Sequence, residues 1–140
     1  MNSTAFALTG YILWFLVLAA VIVLHRSLLT ITGKRAANSF KTDGTDISDF
    51  TARLCRAHAN CYESFPYIGG LLILALVSQS TDITHSLALT LLVSRIAQST
   101  IHMISTGVMA VQLRFCFFLI QLVICFYWAA QFLIRFSGWY

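Results

Sequence analysis

Four long apolar runs, nearly free of charged residues, constrain this chain more than any other feature of its sequence. The first run, from Ala5 to Leu24, holds 20 residues without a charge, and a helix of that length crosses a hydrocarbon core about 30 Å thick. The run continues to Ile31 and no basic segment precedes it, so a membrane span is favoured over a cleaved signal peptide. Three further runs of similar length follow, and Arg95 is their only charged residue.

The composition also requires an apolar environment around the protein. The 140 residues are 59% hydrophobic and 10% charged, whereas soluble domains carry about 25% charged residues. The exterior of the fold, as well as its core, must therefore face lipid. The sequence predicts an all-α fold, a transmembrane four-helix bundle within a single domain, 1–140. The predicted spans are about 5–31, 53–80, 86–105 and 111–135, and a polar loop is predicted at about 32–52.

Basic residues are concentrated around the connection between the first two spans. They are Arg26, Lys34, Arg35, Lys41, Arg53 and Arg56. Because Lys and Arg are enriched in cytoplasmic loops, we expect this loop to be cytoplasmic. We favour a bacterial inner membrane, with the endoplasmic reticulum as the alternative for a eukaryotic source. Trp139 and Tyr140 suit the opposite membrane interface, where such side chains are enriched.

Two classes of function find no support in the sequence. The chain has no nucleic-acid motif and no glycine-rich phosphate loop. Its four cysteines lack the spacing of metal ligands, since Cys55 and Cys61 are six residues apart. We therefore predict no nucleic-acid partner and no metal site.

Polar residues form a stripe at the start of the second predicted helix. Arg53, Arg56, Asn60 and Glu63 are spaced three, four and three residues apart, which places them on one face. His58 lies off this face. Glu63 directly precedes an uncharged run, where a lone carboxylate is costly and needs a partner. Arg56 is slightly too far along the helix to pair with it directly, so we expect a neighbouring helix or a ligand to do so.

The third and fourth predicted helices carry polar residues within their apolar runs. Arg95, Gln98 and His102 share one face of the third helix, and Arg114 and Gln121 share one face of the fourth. An ionisable residue inside a membrane span indicates a functional site by default. The structural alternative is that Arg95 bonds to backbone carbonyls or to Glu63.

These side chains favour an anionic ligand that also forms hydrogen bonds. Arginines bind carboxylates through two parallel hydrogen bonds, while an Asn and a Glu can receive an amide and an ammonium group. A small zwitterionic peptide offers all of these groups, and the surrounding lipid would supply an apolar second substrate.

The segment RLCRAHANCYESFP resembles the second-helix signature of the MAPEG family, the membrane-associated proteins of eicosanoid and glutathione metabolism. This family includes microsomal glutathione transferases, leukotriene C synthase and microsomal prostaglandin E synthase. The RAxxNxxE core of the signature is matched by Arg56, Ala57, Asn60 and Glu63, followed by Phe65 and Pro66. The chain length, the four predicted helices and the basic first loop are similar to those of the family as well.

The resemblance implies a homotrimer that binds glutathione as a co-substrate in a cleft between subunits. It implies a catalytic role for Arg114, which would stabilise the glutathione thiolate and lower the pKa of the thiol. It also implies a set of glutathione-binding residues. They are Arg56, Asn60, Glu63, Arg95, His58, Gln98, His102 and Arg35, of which Arg35 (or its neighbour Lys34) would hold a glutathione carboxylate.

The chain departs from the synthases of the family at three positions. Ser64 stands where they have a tyrosine, and Gln98 and His102 replace tyrosines of the third helix. An eicosanoid-specific role is therefore not supported. One branch of the family binds lipid without catalysis and lacks the Arg/Asn/Glu set, so the presence of that set here favours glutathione binding.

Three hypotheses follow for the function. The first is a membrane-bound glutathione transferase or peroxidase that conjugates or reduces lipophilic electrophiles, in the manner of a detoxification enzyme. The second is a non-catalytic lipid-binding or scaffold protein of the same fold, in which the arginines are structural or bind an acidic headgroup. The third is a small transporter or an accessory subunit of a membrane complex.

Overall fold

Four long helices and one short helix make up the described part of the chain. The computed structural model describes residues 2–138, so Trp139 and Tyr140 with their predicted interfacial role lie outside it. The helices are α1 (Ser3–Ile31), α2 (Asp49–Val77), α3 (Thr81–Thr84), α4 (Ala88–Ile104) and α5 (Val108–Ser137). No strand occurs among residues 2–138, and the predicted all-helical class is confirmed.

Three of the described helices are long and apolar enough to cross a membrane. α1 and α2 have 29 residues each and α5 has 30, whereas α4 is a shorter apolar helix of 17 residues. Large apolar side chains lie exposed along their outer faces, among them Leu13, Leu24 and Phe126. Apolar surface of this extent suits lipid contact, so the protein is a membrane protein. The number of spans and the side on which the first loop lies stay predictions.

The helices α1 and α2 begin at polar residues whose side chains bond to the free backbone N–H groups of the first turn. The Asn2 side chain accepts hydrogen bonds from the backbone N–H groups of Thr4 and Ala5, at 3.1 and 3.2 Å. Ser48 accepts one from Thr51 at 3.1 Å. These caps satisfy otherwise unpaired donors. They explain why α1 and α2 begin at residues 3 and 49, slightly before the predicted starts at about 5 and 53.

The first connection, 32–48, is a folded loop. Arg35 forms an ion pair with Asp46, and the Arg26 Nη2 donates to the backbone carbonyl of Lys41 at 2.8 Å. The guanidinium groups of Arg26 and Arg35 each lie over the ring of Phe40, at 5.7 and 5.8 Å from its centre. The loop is therefore fixed against the end of α1 by its own side chains.

The short helix α3 lies at the other end of the bundle and was not predicted. Its Thr84 hydroxyl lies 2.7 Å from that of Thr4 at the start of α1, and both side chains are buried. Its Asp82 receives two hydrogen bonds from Arg135 near the end of α5. This single turn therefore connects α1 and α5 at the end of the bundle opposite the first loop.

The core lies where α2 and α4 pack against each other, against α1 and against α5. Its largest fully buried side chains include Trp128, Leu72, Leu91 and Leu18. Small residues allow close approach, since a Cβ atom added at Gly10 would lie 2.7 Å from a methyl group of Leu92. This packing fixes the faces of α2, α4 and α5 on which the predicted polar residues lie.

Candidate functional site

A groove between α2, α4 and α5 brings together most of the polar residues selected from the sequence. Its volume is about 390 Å³. It is lined by Arg56, Asn60, Gln98, His102, Val111, Arg114, Phe115 and Phe118. Five of these are polar and were predicted as site residues, and three are apolar and lie on α5. The groove thus combines an arginine-rich wall with an apolar edge.

Helix geometry explains why these residues meet. Arg56 and Asn60 lie one turn apart on α2, and Gln98 and His102 lie one turn apart on α4. A link of three residues, 105–107, then reverses the chain, so that the first turns of α5 lie beside the last turns of α4. This reversal brings Arg114 to the groove. Its Nε is buried and makes no hydrogen bond within residues 2–138.

Arg95 lies behind the groove and does not line it. Its side chain is fully buried, and its Nη1 donates to the Asn60 Oδ1 at 2.7 Å. The guanidinium also lies over the ring of Tyr11, 5.7 Å from the centre. Its Nε and Nη2 have no hydrogen-bond partner within the described residues. The structural alternative, in which Arg95 bonds to Glu63 or to backbone carbonyls, is not what the structure shows, because its partner is the amide of Asn60.

Tyr11 of α1 is a residue of this site that the sequence did not reveal. Its hydroxyl donates to the Cys61 carbonyl at 2.9 Å and lies 3.0 Å from the Ser64 hydroxyl. Ser64 stands where the synthases of the resembling family have a tyrosine, and here a phenol from another helix reaches that position. Tyr11 and Ser64 are 53 residues apart, so no local pattern links them.

Glu63 finds its partner within α2. The Arg56 Nη1 lies 3.4 Å from the Glu63 Oε1, although the two residues are seven positions apart. The prediction that Arg56 is too far away was wrong, because the two long side chains extend toward each other across about 10 Å of helix. Arg53, on the same stripe, donates from its Nε to the Met103 carbonyl at 2.9 Å. It thereby connects α2 to the end of α4.

Gln98 and Gln121 form a buried pair between α4 and α5. The Gln121 Nε2 donates to the Gln98 Oε1 at 3.0 Å and to the backbone carbonyl of Phe117 at 2.8 Å. Gln121 is 1% exposed and Gln98 is 7% exposed. Gln98 reaches the groove, whereas Gln121 is buried within the bundle and supports Gln98 from there.

Two of the predicted glutathione-binding residues lie away from the groove. The His58 ring stacks on Phe15 of α1 with the ring centres 4.4 Å apart. Arg35 lies in the first loop, where it pairs with Asp46. Within one chain neither residue contacts the groove, so their predicted roles depend on a neighbouring subunit and stay predictions.

The described residues contain no group of three or more His, Cys, Asp or Glu side chains placed to hold a metal ion. The cysteines Cys55, Cys61, Cys116 and Cys125 are unpaired thiols, and all but Cys116 are buried.

The fold and the site thus define a class of protein: an all-helical membrane protein with an arginine-rich groove across three of its helices. The MAPEG family model matches residues 4–134, so the chain belongs to the MAPEG family, as its second-helix signature predicted. Members of that family include glutathione transferases and related proteins. No curated protein and no solved structure matched the chain.

Proposed function

We propose that this protein is a membrane-bound, glutathione-dependent transferase or peroxidase that acts on lipophilic electrophiles. The observation that carries the proposal is the groove, in which Arg56, Asn60, Gln98 and Arg114 converge beside an apolar edge. Glutathione has two carboxylates, two peptide carbonyls and a thiol. Arginine side chains and amide N–H groups match these acceptors.

Arg114 is the residue we assign to the chemistry. A cation beside the glutathione sulfur favours the thiolate and lowers the pKa of the thiol. Arg114 lines the groove, and no ion pair or hydrogen bond holds its guanidinium within residues 2–138, so this group is available to a ligand. The thiolate sulfur would form a bond to an electrophilic carbon, and the leaving group would depart with the bonding electron pair. Positioning and ionisation of one reactant then suffice, without a covalent enzyme intermediate.

The apolar edge of the groove supports a lipid-soluble second substrate. Phe115 and Val111 are exposed on the same side of α5. A molecule dissolved in the membrane would approach along this surface, and the thiol of the bound glutathione would lie at the edge of that surface. A water-soluble and a lipid-soluble reactant would thus meet at one place.

We further propose that three copies assemble, with the first loop on the cytoplasmic side of the membrane. A neighbouring subunit would then bring its own α1 and first loop toward the groove. His58 and Arg35, which lie away from the groove of their own chain, are the residues that such an assembly would add. Chemical cross-linking in detergent, followed by mass measurement, tests the subunit number.

The test of the enzyme is glutathione binding and thiolate absorbance in the detergent-purified protein, with Arg114→Ala beside the parent. We expect the parent to bind glutathione at millimolar concentration and to ionise it, and Arg114→Ala to give an about tenfold smaller thiolate fraction at neutral pH. Lys41→Ala is the matched control, because it removes one positive charge from the exposed first loop.

The possible results separate the parts of the proposal. If the parent binds no glutathione, the enzyme hypothesis is rejected. If the parent binds glutathione but ionises it no better than Arg114→Ala, only the role of Arg114 is rejected.

A second candidate function is the binding of an acidic lipid without catalysis. The observation that favours it is the Arg114 guanidinium, which lies beside exposed Phe115 and pairs with no carboxylate within residues 2–138, whereas Arg56 pairs with Glu63. Binding of anionic lipid vesicles that glutathione does not displace would favour this candidate over the enzyme.

A further inference from the structure

The first of two amide side chains in the groove is held in one orientation by Arg95. The Arg95 Nη1 lies 2.7 Å from the Asn60 Oδ1. A guanidinium group has only donors, so the oxygen end of the Asn60 amide must face it. The Asn60 NH2 group therefore faces away from Arg95, and Asn60 lines the groove.

The second amide is oriented through a chain of two hydrogen bonds. The Phe117 carbonyl can only accept, so the end of Gln121 that lies 2.8 Å from it must be the NH2 group. The same NH2 group lies 3.0 Å from Gln98. The facing atom of Gln98 must then be its oxygen. The Gln98 NH2 group points away from Gln121, and Gln98 also lines the groove.

The free ends of both amides are thus donors. Neither the Asn60 Nδ2 nor the Gln98 Nε2 makes a hydrogen bond within residues 2–138, and neither is a buried orphan atom. The guanidinium groups of Arg56 and Arg114, in the same groove, are donors as well. Four side chains from three helices therefore present N–H groups to one space.

We infer that Arg95 and Gln121, which lie outside the groove lining, set the hydrogen-bond polarity of Asn60 and Gln98, so that both amides bind ligand groups that accept hydrogen bonds. Carboxylate, peptide carbonyl and thiolate fit beside these two amides, whereas an ammonium group finds no acceptor in either of them. The inference rests on the proposed function for the identity of the ligand. It assigns the carboxylates, carbonyls and sulfur of glutathione to the groove, and its ammonium group to the rim, where Glu63 lies beside Arg56.

The polarity at Gln98 is tested by an isosteric change. Gln98→Glu keeps the size of the side chain and an oxygen for Gln121, but it puts a carboxylate oxygen, with its negative charge, in place of the NH2 group that faces the groove. We expect Gln98→Glu to bind glutathione at least tenfold more weakly than the parent, and more weakly than Gln98→Ala, which removes the donor without putting an acceptor in its place. If Gln98→Glu binds as well as Gln98→Ala or better, the inference is overturned.

The role of Gln121 is tested by a double-mutant cycle measured on glutathione affinity. Gln121→Leu should weaken binding about three- to tenfold in the parent background, the value of one hydrogen bond, and should have no further effect in Gln98→Ala. A merely structural role would weaken binding equally in both backgrounds and would overturn the inference. Gln112→Leu, an exposed position on the same helix, is the matched control and should leave the affinity unchanged.

A measurement on the free protein separates failure of this inference from failure of the proposed function. Hydrogen exchange of side-chain amides, followed by ¹⁵N NMR and assigned with Gln98→Ala, needs no ligand. We expect the NH2 groups of Asn60 and Gln98 to exchange rapidly and that of Gln121 to be protected. Protection of the Gln98 NH2 group would overturn the inference. Rapid exchange in a protein that binds no glutathione would reject glutathione and retain the polarity of the groove.

Discussion

Arg56 and Glu63 pair across two turns of α2, with the Nη1 and Oε1 atoms 3.4 Å apart and the side chains 60% and 56% exposed. The pair lies at the rim of the groove, because Arg56 also lines it. A ligand bound there in the proposed manner would meet both charges, with a carboxylate beside Arg56 and its ammonium group beside Glu63.

The first prediction concerns Glu63→Gln. Exposed ion pairs contribute about 0–1 kcal/mol, so we expect the free energy of unfolding to change by less than about 1 kcal/mol. Glutathione affinity should fall about tenfold, because the ammonium group loses its carboxylate. Equilibrium unfolding and calorimetric binding in detergent measure the two effects, with Asp43→Asn as a control that removes an exposed charge outside the groove. A large loss of stability would contradict this reading of the pair.

The second prediction concerns Arg95→Met. A buried charge is costly unless it is paired and hydrogen-bonded, and Arg95 has two nitrogens without partners among the described residues. We expect unchanged or higher stability together with weaker glutathione binding, since Asn60 loses the donor that orients it. Thermal unfolding and binding should thus change in opposite directions. Equal losses in both would show that Arg95 serves the fold alone.

The third prediction compares two glycines of the first loop. Gly33 and Gly44 both have positive φ, +67° and +70°, which costs other residues about 1–2 kcal/mol. A Cβ atom at Gly33 would meet nothing within 4 Å, but at Gly44 it would lie 2.9 Å from a methyl group of Thr51 and 3.0 Å from its backbone oxygen. Gly44→Ala should therefore lower the free energy of unfolding more than Gly33→Ala does. Equal losses would exclude steric contact at Gly44.

The fourth prediction concerns acid. Hydrogen bonds from the Arg135 guanidinium hold the pKa of Asp82 below its ordinary value of 3.8. A lowered folded-state pKa gives stability that is present above the unfolded pKa and is lost as the pH falls through the folded pKa. Asp82→Asn should therefore be less stable than the parent at neutral pH, and the difference should shrink below pH 3.8. Thermal unfolding as a function of pH measures it, and a constant difference would refute the assignment.

Local features of the sequence predicted the helices and part of the groove. The residue pairs Arg56–Asn60 and Gln98–His102 are spaced at one helical turn, so each pair had to share a face. The short link before α5 makes α5 an antiparallel neighbour of α4. Arg114, in the second turn of α5, therefore lies beside the end of α4. Spacing within a helix and the length of a link are local quantities, and both can be determined from a single sequence.

Contacts between distant residues were beyond that reasoning. The Tyr11 hydroxyl reaches Ser64 because α1 packs on α2 at a particular rotation, and nothing near Tyr11 encodes that rotation. Arg95 was predicted on the same face as Gln98, but full burial behind Asn60 depends on the packing of three helices. The single turn α3 is too short to show a period. The sequence-based prediction also excluded the Arg56–Glu63 pair because it underestimated how far the two side chains reach.

Helix α4 is connected to both of the other helices that form the groove. Three residues join α4 to α5, Arg53 bonds α2 to the end of α4 at 2.9 Å, and Gln121 bonds α5 to α4 at 3.0 Å. Ligand entry by separation of the helices would break these connections. The protein therefore loses little conformational entropy when a ligand binds, and most of the entropy loss comes from the ligand. A glutathione analogue locked in its bound shape would gain affinity on that account, and its gain would measure how rigid this receptor is.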